Sequence, residues 1–264
     1  MSVERGWNII SRAYQRKTGI SLKDVHYGPI SPGEVHLKLL GNVKGKDVLE
    51  IGCGGGQNAI VLKKWGARSA GIDLSREQLE VARKLAKKER VKIPFYRGTM
   101  EDLSRFSDES FDIILSAFGV GYTDNLAKTF EEVHRVLRRN GLFVFADTHP
   151  IVDRGNIARH GKRRTWEISD YFNRRKHTWT WRIEDKVAKF RTRHRTIQDY
   201  FETLIQVGFS VERILEPEPY PLAKMTVEER DRIAPYMGDG ERGLKNFDIW
   251  KKTPFTIIFK ASKR

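Results

Sequence analysis

The residues with the clearest chemical potential lie in one short run, Asp47-Val-Leu-Glu-Ile-Gly-Cys-Gly-Gly-Gly-Gln57, with Asp73 at the end of the next apolar stretch. Glycines at 52, 54, 55 and 56 take every Cβ out of a bend and allow backbone conformations closed to other residues. The helical pattern that starts near Gln57 would aim free N–H groups and the positive end of its dipole into that bend. Asp73 follows after roughly twenty residues, where a carboxylate can accept two hydrogen bonds from a ribose. This is the chemistry of nucleotide recognition by backbone and one acid. Two more candidates close later apolar runs: Ser116-Ala-Phe118, and Thr148-His149-Pro150. An imidazole titrates near neutrality, so His149 is a candidate general base, set against a plain role in holding its loop.

The elements that must position these residues alternate between strand and helix. Residues 47–52 form a strand, and Ala59, Ile60, Leu62 and Trp65 form a helix that Gly66 stops. A second strand runs to Asp73. Ser75 then caps a helix, and Gln78 at the third position would complete a capping box. Ile93-Pro-Phe-Tyr-Arg97 is a strand whose proline must sit at its start or at a sheet edge. Phe111–Ser116 and Leu142–Asp147 are the fourth and fifth strands, with a helix between them. In open parallel sheets, ligands sit beyond the carboxyl ends of the strands, which is where Asp73, Ser116, Phe118 and His149 all fall. Upstream, Trp7, Ile10 and Tyr14 share a short amphipathic helix over residues 1–20, whose plain reading is packing on the core.

A dinucleotide fingerprint would place a third glycine at Gln57, and the match fails there. The arrangement Glu50-x-Gly52-x-Gly54-x-Gly56 instead resembles the first motif of the class I S-adenosylmethionine-dependent methyltransferases, of the methyltransferase-11 type. Ala70-Gly-Ile-Asp-Leu-Ser75, Arg97-Gly-Thr-Met-Glu-Asp-Leu103, Ser110-Phe-Asp-Ile-Ile-Leu-Ser116 and Val133–Phe145 resemble that family's later motifs, in order. His194-Arg-Thr196 resembles a further element of bacterial and archaeal small-molecule methyltransferases. The resemblance implies an α/β fold: a Rossmann-like, doubly wound, mostly parallel seven-stranded sheet with an antiparallel last strand. It also implies S-adenosylmethionine as cofactor and S-adenosylhomocysteine as product.

The family's pattern assigns cofactor contacts residue by residue. Gly52, Gly54 and the Gln57 region fall on the methionine and ribose side and Asp73 on the ribose hydroxyls, with Glu50, Cys53, Asn58, Leu74 and Gln78 as further cofactor contacts; the family's N-terminal helix would cover the methionine end as a lid. Thr99, Met100 and Glu101 border adenine, with methionine departing from the family's more usual alanine. Ser116 and Phe118 border the transferred methyl, and Tyr27, in the turn His26-Tyr-Gly-Pro29, could flank the cofactor. Ser116-Ala-Phe-Gly119 replaces the Asn/Asp-Pro-Pro-Tyr of enzymes that methylate adenine N6 or glutamine, which counts against that chemistry. Pyrimidine C5 methylation needs a cysteine beside the acceptor, and the single cysteine, Cys53, sits in the glycine turn.

One cysteine also excludes an internal disulfide and a multi-cysteine metal site. With 264 residues and 39% hydrophobic content the chain can bury a sizeable core, and its organisation reads in four parts. Residues 1–46 are an N-terminal helical cap, 47–150 the cofactor-binding core, 151–195 an inserted basic and aromatic lid for the acceptor, and 196–264 the remainder of the core with a second insertion at about 217–253. No apolar leader or membrane-length run is present, so the expected location is cytoplasmic. The formal charge of +15 is concentrated: Arg154 to Arg195 hold fourteen Lys or Arg against four Asp or Glu. Such charge also suits a thermophile's surface. Interleaved with Trp166, Tyr171, Phe172, Trp179, Trp181 and Phe190, it can bind phosphates and stack on bases, or wall a small-molecule pocket. The leading expectation is methyl transfer to an O or N nucleophile of a small molecule. The alternatives are a tRNA or other nucleic-acid acceptor on the basic segment, and a non-catalytic cofactor-binding regulator. Oligomeric state is not legible.

Overall fold

In the computed structural model, which describes residues 2–161, 163–219, 226–227 and 247–264, the alternating pattern becomes one seven-stranded sheet. Strands β1 (Asp47–Ile51), β2 (Arg68–Asp73), β3 (Phe95–Arg97), β4 (Phe111–Ala117) and β5 (Leu137–Thr148) pair in parallel as β3-β2-β1-β4-β5. The antiparallel β11 (Thr256–Lys263) lies beside β5 and carries β10 (Phe209–Leu215) at the edge. Val48, Leu49, Glu50 and Ile51 of β1 are all buried, as a central parallel strand with helices on both faces requires. Pro94 precedes β3, which is the sheet edge, so its missing N–H costs no ladder bond.

Helices α3 (Gln57–Lys64), α4 (Arg76–Lys88), α5 (Leu126–Val136) and α7 (Ile197–Val207) cover the sheet, with short turns at α2 (Glu34–Leu37), α6 (Pro150–Asp153) and α8 (Phe247–Trp250). Thr196 caps α7 in a full capping box with Asp199. At α4 the expected box is half made. Ser75 accepts from the Gln78 N–H, but the Gln78 side chain turns away to accept from Gln15, because α1 (Val3–Thr18) lies across it. Ser2 caps α1, and Gly19 ends it in the left-handed conformation (φ 47°). This helix packs on α4 and on the inserted segment.

That segment holds two antiparallel hairpins where the alternation predicts one: β6 (Gly155–His160) with β7 (Arg163–Ile168), and β8 (Lys176–Ile183) with β9 (Lys186–Arg193). Residues 155–160 show no apolar alternation because both faces of β6 are partly or fully exposed, so no periodic signal announces that strand. Most of the expected second insertion lies outside the described residues. Among the described residues no helix is long and apolar enough to cross a membrane.

Candidate functional site

A cavity of about 1270 Å³ opens along the carboxyl ends of β1, β2, β4 and β5. Its floor is the glycine turn. Gly52 (φ 64°), Gly54 (φ 50°) and Gly56 (φ 75°) are all left-handed, and Gly56 is the N-cap of α3. A Cβ on Gly54 would meet nothing nearer than Gln78 at 3.8 Å, so this face of the turn is open to the cavity. A Cβ on Gly56 would stand 2.7 Å from the Phe95 ring, and there close packing rather than ligand access demands glycine.

Two acids, half-buried Asp73 and buried Glu50, hold the turn from below. Asp73 accepts from the Gly54 N–H through Oδ2 and from the Ser75 N–H through Oδ1, both at 2.8 Å, which ties the turn to the start of α4. Burial pushes its pKa up to about 6, and these backbone donors offset part of the rise. Glu50 accepts from the Ala59 N–H at 3.0 Å. Its burial outweighs that bond and raises its pKa to about 8. A carboxyl whose pKa rises on folding contributes stability below its unfolded value and loses it as pH climbs through the folded one. His26, lowered to about 4 by burial, acts in the opposite direction only below its unfolded value of 6.5. The ligand-free protein is therefore expected to lose about 2 kcal/mol of stability between pH 6.5 and 8 through Glu50. Denaturant unfolding at the two pH values checks this, and Glu50→Gln should flatten the slope.

The structure brings most of the sequence-derived site residues to this cavity. Glu50, Gly52, Cys53, Gly54, Gln57 and Asn58 line its floor. Asp73, Leu74 and Gln78 line one side, and Thr99, Met100, Glu101 and Phe118 another. Glu101 is partly committed, since its Oε1 accepts from the N–H groups of Asp124 and Asn125 and so fixes the loop after β4. Burial raises the Cys53 thiol's pKa, which makes it a packing group rather than a nucleophile.

Three of the expected residues do not reach the cavity. Tyr27 is a core residue whose hydroxyl donates to buried Glu34 at 2.7 Å. Ser116 is fully buried beneath Gly119, with its Oγ 2.6 Å from where a Gly119 Cβ would stand. His149 caps α6: its Nδ1 accepts from the Ile151 N–H, and its Nε2 pairs with Glu216 at 2.7 Å. Both ring nitrogens are used and burial lowers the pKa, so His149 serves its loop and offers no free base to the cavity.

Other lining residues escaped the sequence reading. From α1, Gln15 donates to Gln78 and accepts from Gln57, a bridge of neutral amides across the turn. Gln15 shares the helical face of Trp7 and Tyr14, which was the available signal. At the far end, Asp147 and Tyr200 are hydrogen-bonded at 2.9 Å. Asp147 ends an apolar run just as Asp73 does, so the same signal was present in the sequence. Beside them His194 pairs with Asp153 at 2.6 Å, and Arg195 donates to the Thr123 carbonyl at 2.6 Å. The inserted hairpin turns Trp179 and Phe190 inward in register, onto Trp7 and Tyr122, while Lys176, Arg182, Lys189, Arg191 and Arg193 share its other face.

Residues 49–145 match a family model described as a methyltransferase domain. Over 209 residues the chain is 31% identical to a protein of Haemophilus influenzae, covering 72% of this chain and 79% of that one. It is 37% identical over 110 residues to the uncharacterised methyltransferase YbaJ of Bacillus subtilis, 42% of this chain and 43% of that protein. The solved structure of an S-adenosylmethionine dependent methyltransferase from Mesorhizobium loti superposes with a TM-score of 0.62 at 25% identity, over 86% of this chain and 95% of that one. The chain belongs to the class I S-adenosylmethionine-dependent methyltransferases. Its match to YbaJ spans less than half the length of that relative. The methyltransferase takes S-adenosylmethionine as its cofactor, and the floor of its cavity suits that group: left-handed glycines free of side chains, with an acid held beneath them.

Proposed function

We propose that this methyltransferase transfers a methyl group to an O or N nucleophile of a small molecule bound between the sheet edge and the inserted hairpins. The observation that carries the reading is the size and lining of the cavity. Sites for one drug-sized ligand run to about 300–1000 Å³, and 1270 Å³ exceeds that range. Beyond the glycine turn the lining includes Trp166, Trp179, Trp181, Trp250 and Phe255, suited to enclosing an organic molecule, together with Lys176, Arg191, Arg193 and Arg195.

When bound, S-adenosylmethionine supplies an electrophilic methyl on a sulfonium, open to in-line displacement. The chain's own part is positioning. The N–H groups around Gly54 and Gln57 would hold the methionine and ribose side. Asp73, at the side of the cavity, would accept from ribose hydroxyls. Leu74, Thr99 and Met100 would border adenine, and Phe118 would face the reacting carbon.

A second reading, a nucleic-acid acceptor, is favoured by the single-signed face of the β8–β9 hairpin, where Arg182, Lys189, Arg191 and Arg193 stand exposed, Arg191 and Arg193 at the cavity as well. Incubation with methyl-labelled cofactor and a cell extract split into small molecules and RNA tests the two. Label is expected in the small-molecule fraction and should persist in an Arg182→Glu, Lys189→Glu variant. Label confined to RNA, and lost in that variant, would favour the second reading.

A further inference from the structure

We propose that Asp147, seated against Tyr200 at the end of β5, is the catalytic residue that takes the proton from the acceptor's hydroxyl or amine. The proposal rests on the reading of an O or N acceptor in this cavity.

Placement comes first. Ala146 is in register with Ala117, so Asp147 stands beside the end of β4, at the carboxyl edge where the cavity lies. Its Oδ1 accepts from the Thr148 N–H at 2.8 Å and its Oδ2 from the Tyr200 hydroxyl at 2.9 Å. Gly121 closes in from the loop after β4: a Cβ there would lie 2.7 Å from Oδ1 and 2.6 Å from Oδ2. Glycine at 121 thus lets backbone press against a carboxylate that is pinned in place yet reaches the cavity.

Elimination comes second. Six acids line the cavity among the described residues: Glu50, Asp73, Glu101, Asp124, Asp147 and Asp153. Glu50 and Asp73 hold the glycine turn, and Glu101 holds residues 123–125. Asp124 pairs with Lys176, and Asp153 with His194. Asp147 alone of the six carries neither a cation nor a turn.

Electrostatics agree. Burial raises the Asp147 pKa to about 6, against the Tyr200 and Thr148 donors and the charge of Arg195, which lower it, while Asp153 pushes it up. The phenols of buried Tyr200 and half-buried Tyr122 are held above their ordinary range by desolvation, so both stay protonated. A base that is ionised at neutral pH and accepts a proton readily suits this step. In the transfer, a lone pair on the acceptor forms the bond to the methyl carbon. The methyl–sulfur bond breaks with its pair going to sulfur, and the acceptor's proton moves to Asp147 and then to solvent.

The test compares wild type with Asp147→Asn and Tyr200→Phe. In the ligand-free protein, infrared difference titration should show a carboxyl near pH 6 that Asp147→Asn removes and Tyr200→Phe shifts upward. Calorimetric affinity for S-adenosylmethionine should stay within about twofold in Asp147→Asn, while label transfer to a small-molecule extract falls by about 100-fold or more. Transfer by wild type should decline about tenfold per pH unit below 6, a limb that Tyr200→Phe moves up. A structural Asp147 would leave that limb in place. The proposal is overturned if Asp147→Asn keeps its turnover and its acid limb, or if that variant removes no carboxyl titrating near 6, Asp73 being the other group expected there. Should wild type label only RNA, the small-molecule reading fails, and the same variants decide Asp147 on that acceptor.

Discussion

Replacing Gly56 with valine should cost the fold about 3 kcal/mol or more. Gly56 adopts φ 75°, a conformation that penalises a β-branched side chain, and an added Cβ would lie 2.7 Å from the Phe95 ring and 3.0 Å from the Ala82 methyl. Both neighbours belong to a buried cluster with Ala59, Ile60 and Leu79, so neither has space to retreat. Gly56 is also the N-cap of α3, so the strain falls on the turn that forms the cavity floor. Denaturant unfolding measures the loss. A valine variant as stable as wild type would mean that the turn can be rebuilt without its left-handed residue.

Asp73→Ala should weaken S-adenosylmethionine binding by about 10- to 100-fold, the loss of charged hydrogen bonds worth roughly 1.5–3 kcal/mol. The change removes any bonds to ribose hydroxyls, and it also frees the Gly54 N–H, which Asp73 now holds in place. Asp73→Asn separates the two contributions. Its amide oxygen can accept from one of the two N–H groups at Gly54 and Ser75, so it should keep much of the fold while still losing affinity. Calorimetric titration of each variant reads the result, and wild-type affinity in Asp73→Ala would remove this residue from the cofactor site.

The core strands along the chain and the glycine turn were legible because both rest on local signals. Apolar runs of strand length ending in glycine or aspartate mark the carboxyl edge of a parallel sheet, and that edge is where the site forms. Side-chain commitments were not legible, because they depend on partners distant in the chain. Tyr27 looked available in a polar turn, yet buried Glu34 takes its hydroxyl. His149 looked like a base, yet it spends Nδ1 on α6 and Nε2 on Glu216, 67 residues away. Asp147 carried the same local signal as Asp73, but its partner Tyr200 comes from α7, 53 residues further on. The hairpin β6–β7 left no periodic trace because neither of its faces is consistently buried.

The first helix has a consequence for how the molecule is made. Trp7 and Tyr14 of α1 find their partners in Trp181 and Phe190, more than 160 residues later in the chain. During vectorial synthesis, at about 5–20 residues per second, the aromatic stripe of α1 emerges well before the hairpin that covers it. The glycine turn and strands β1 to β5 can assemble in the meantime. The cavity acquires its aromatic wall only when the late hairpin meets the early helix.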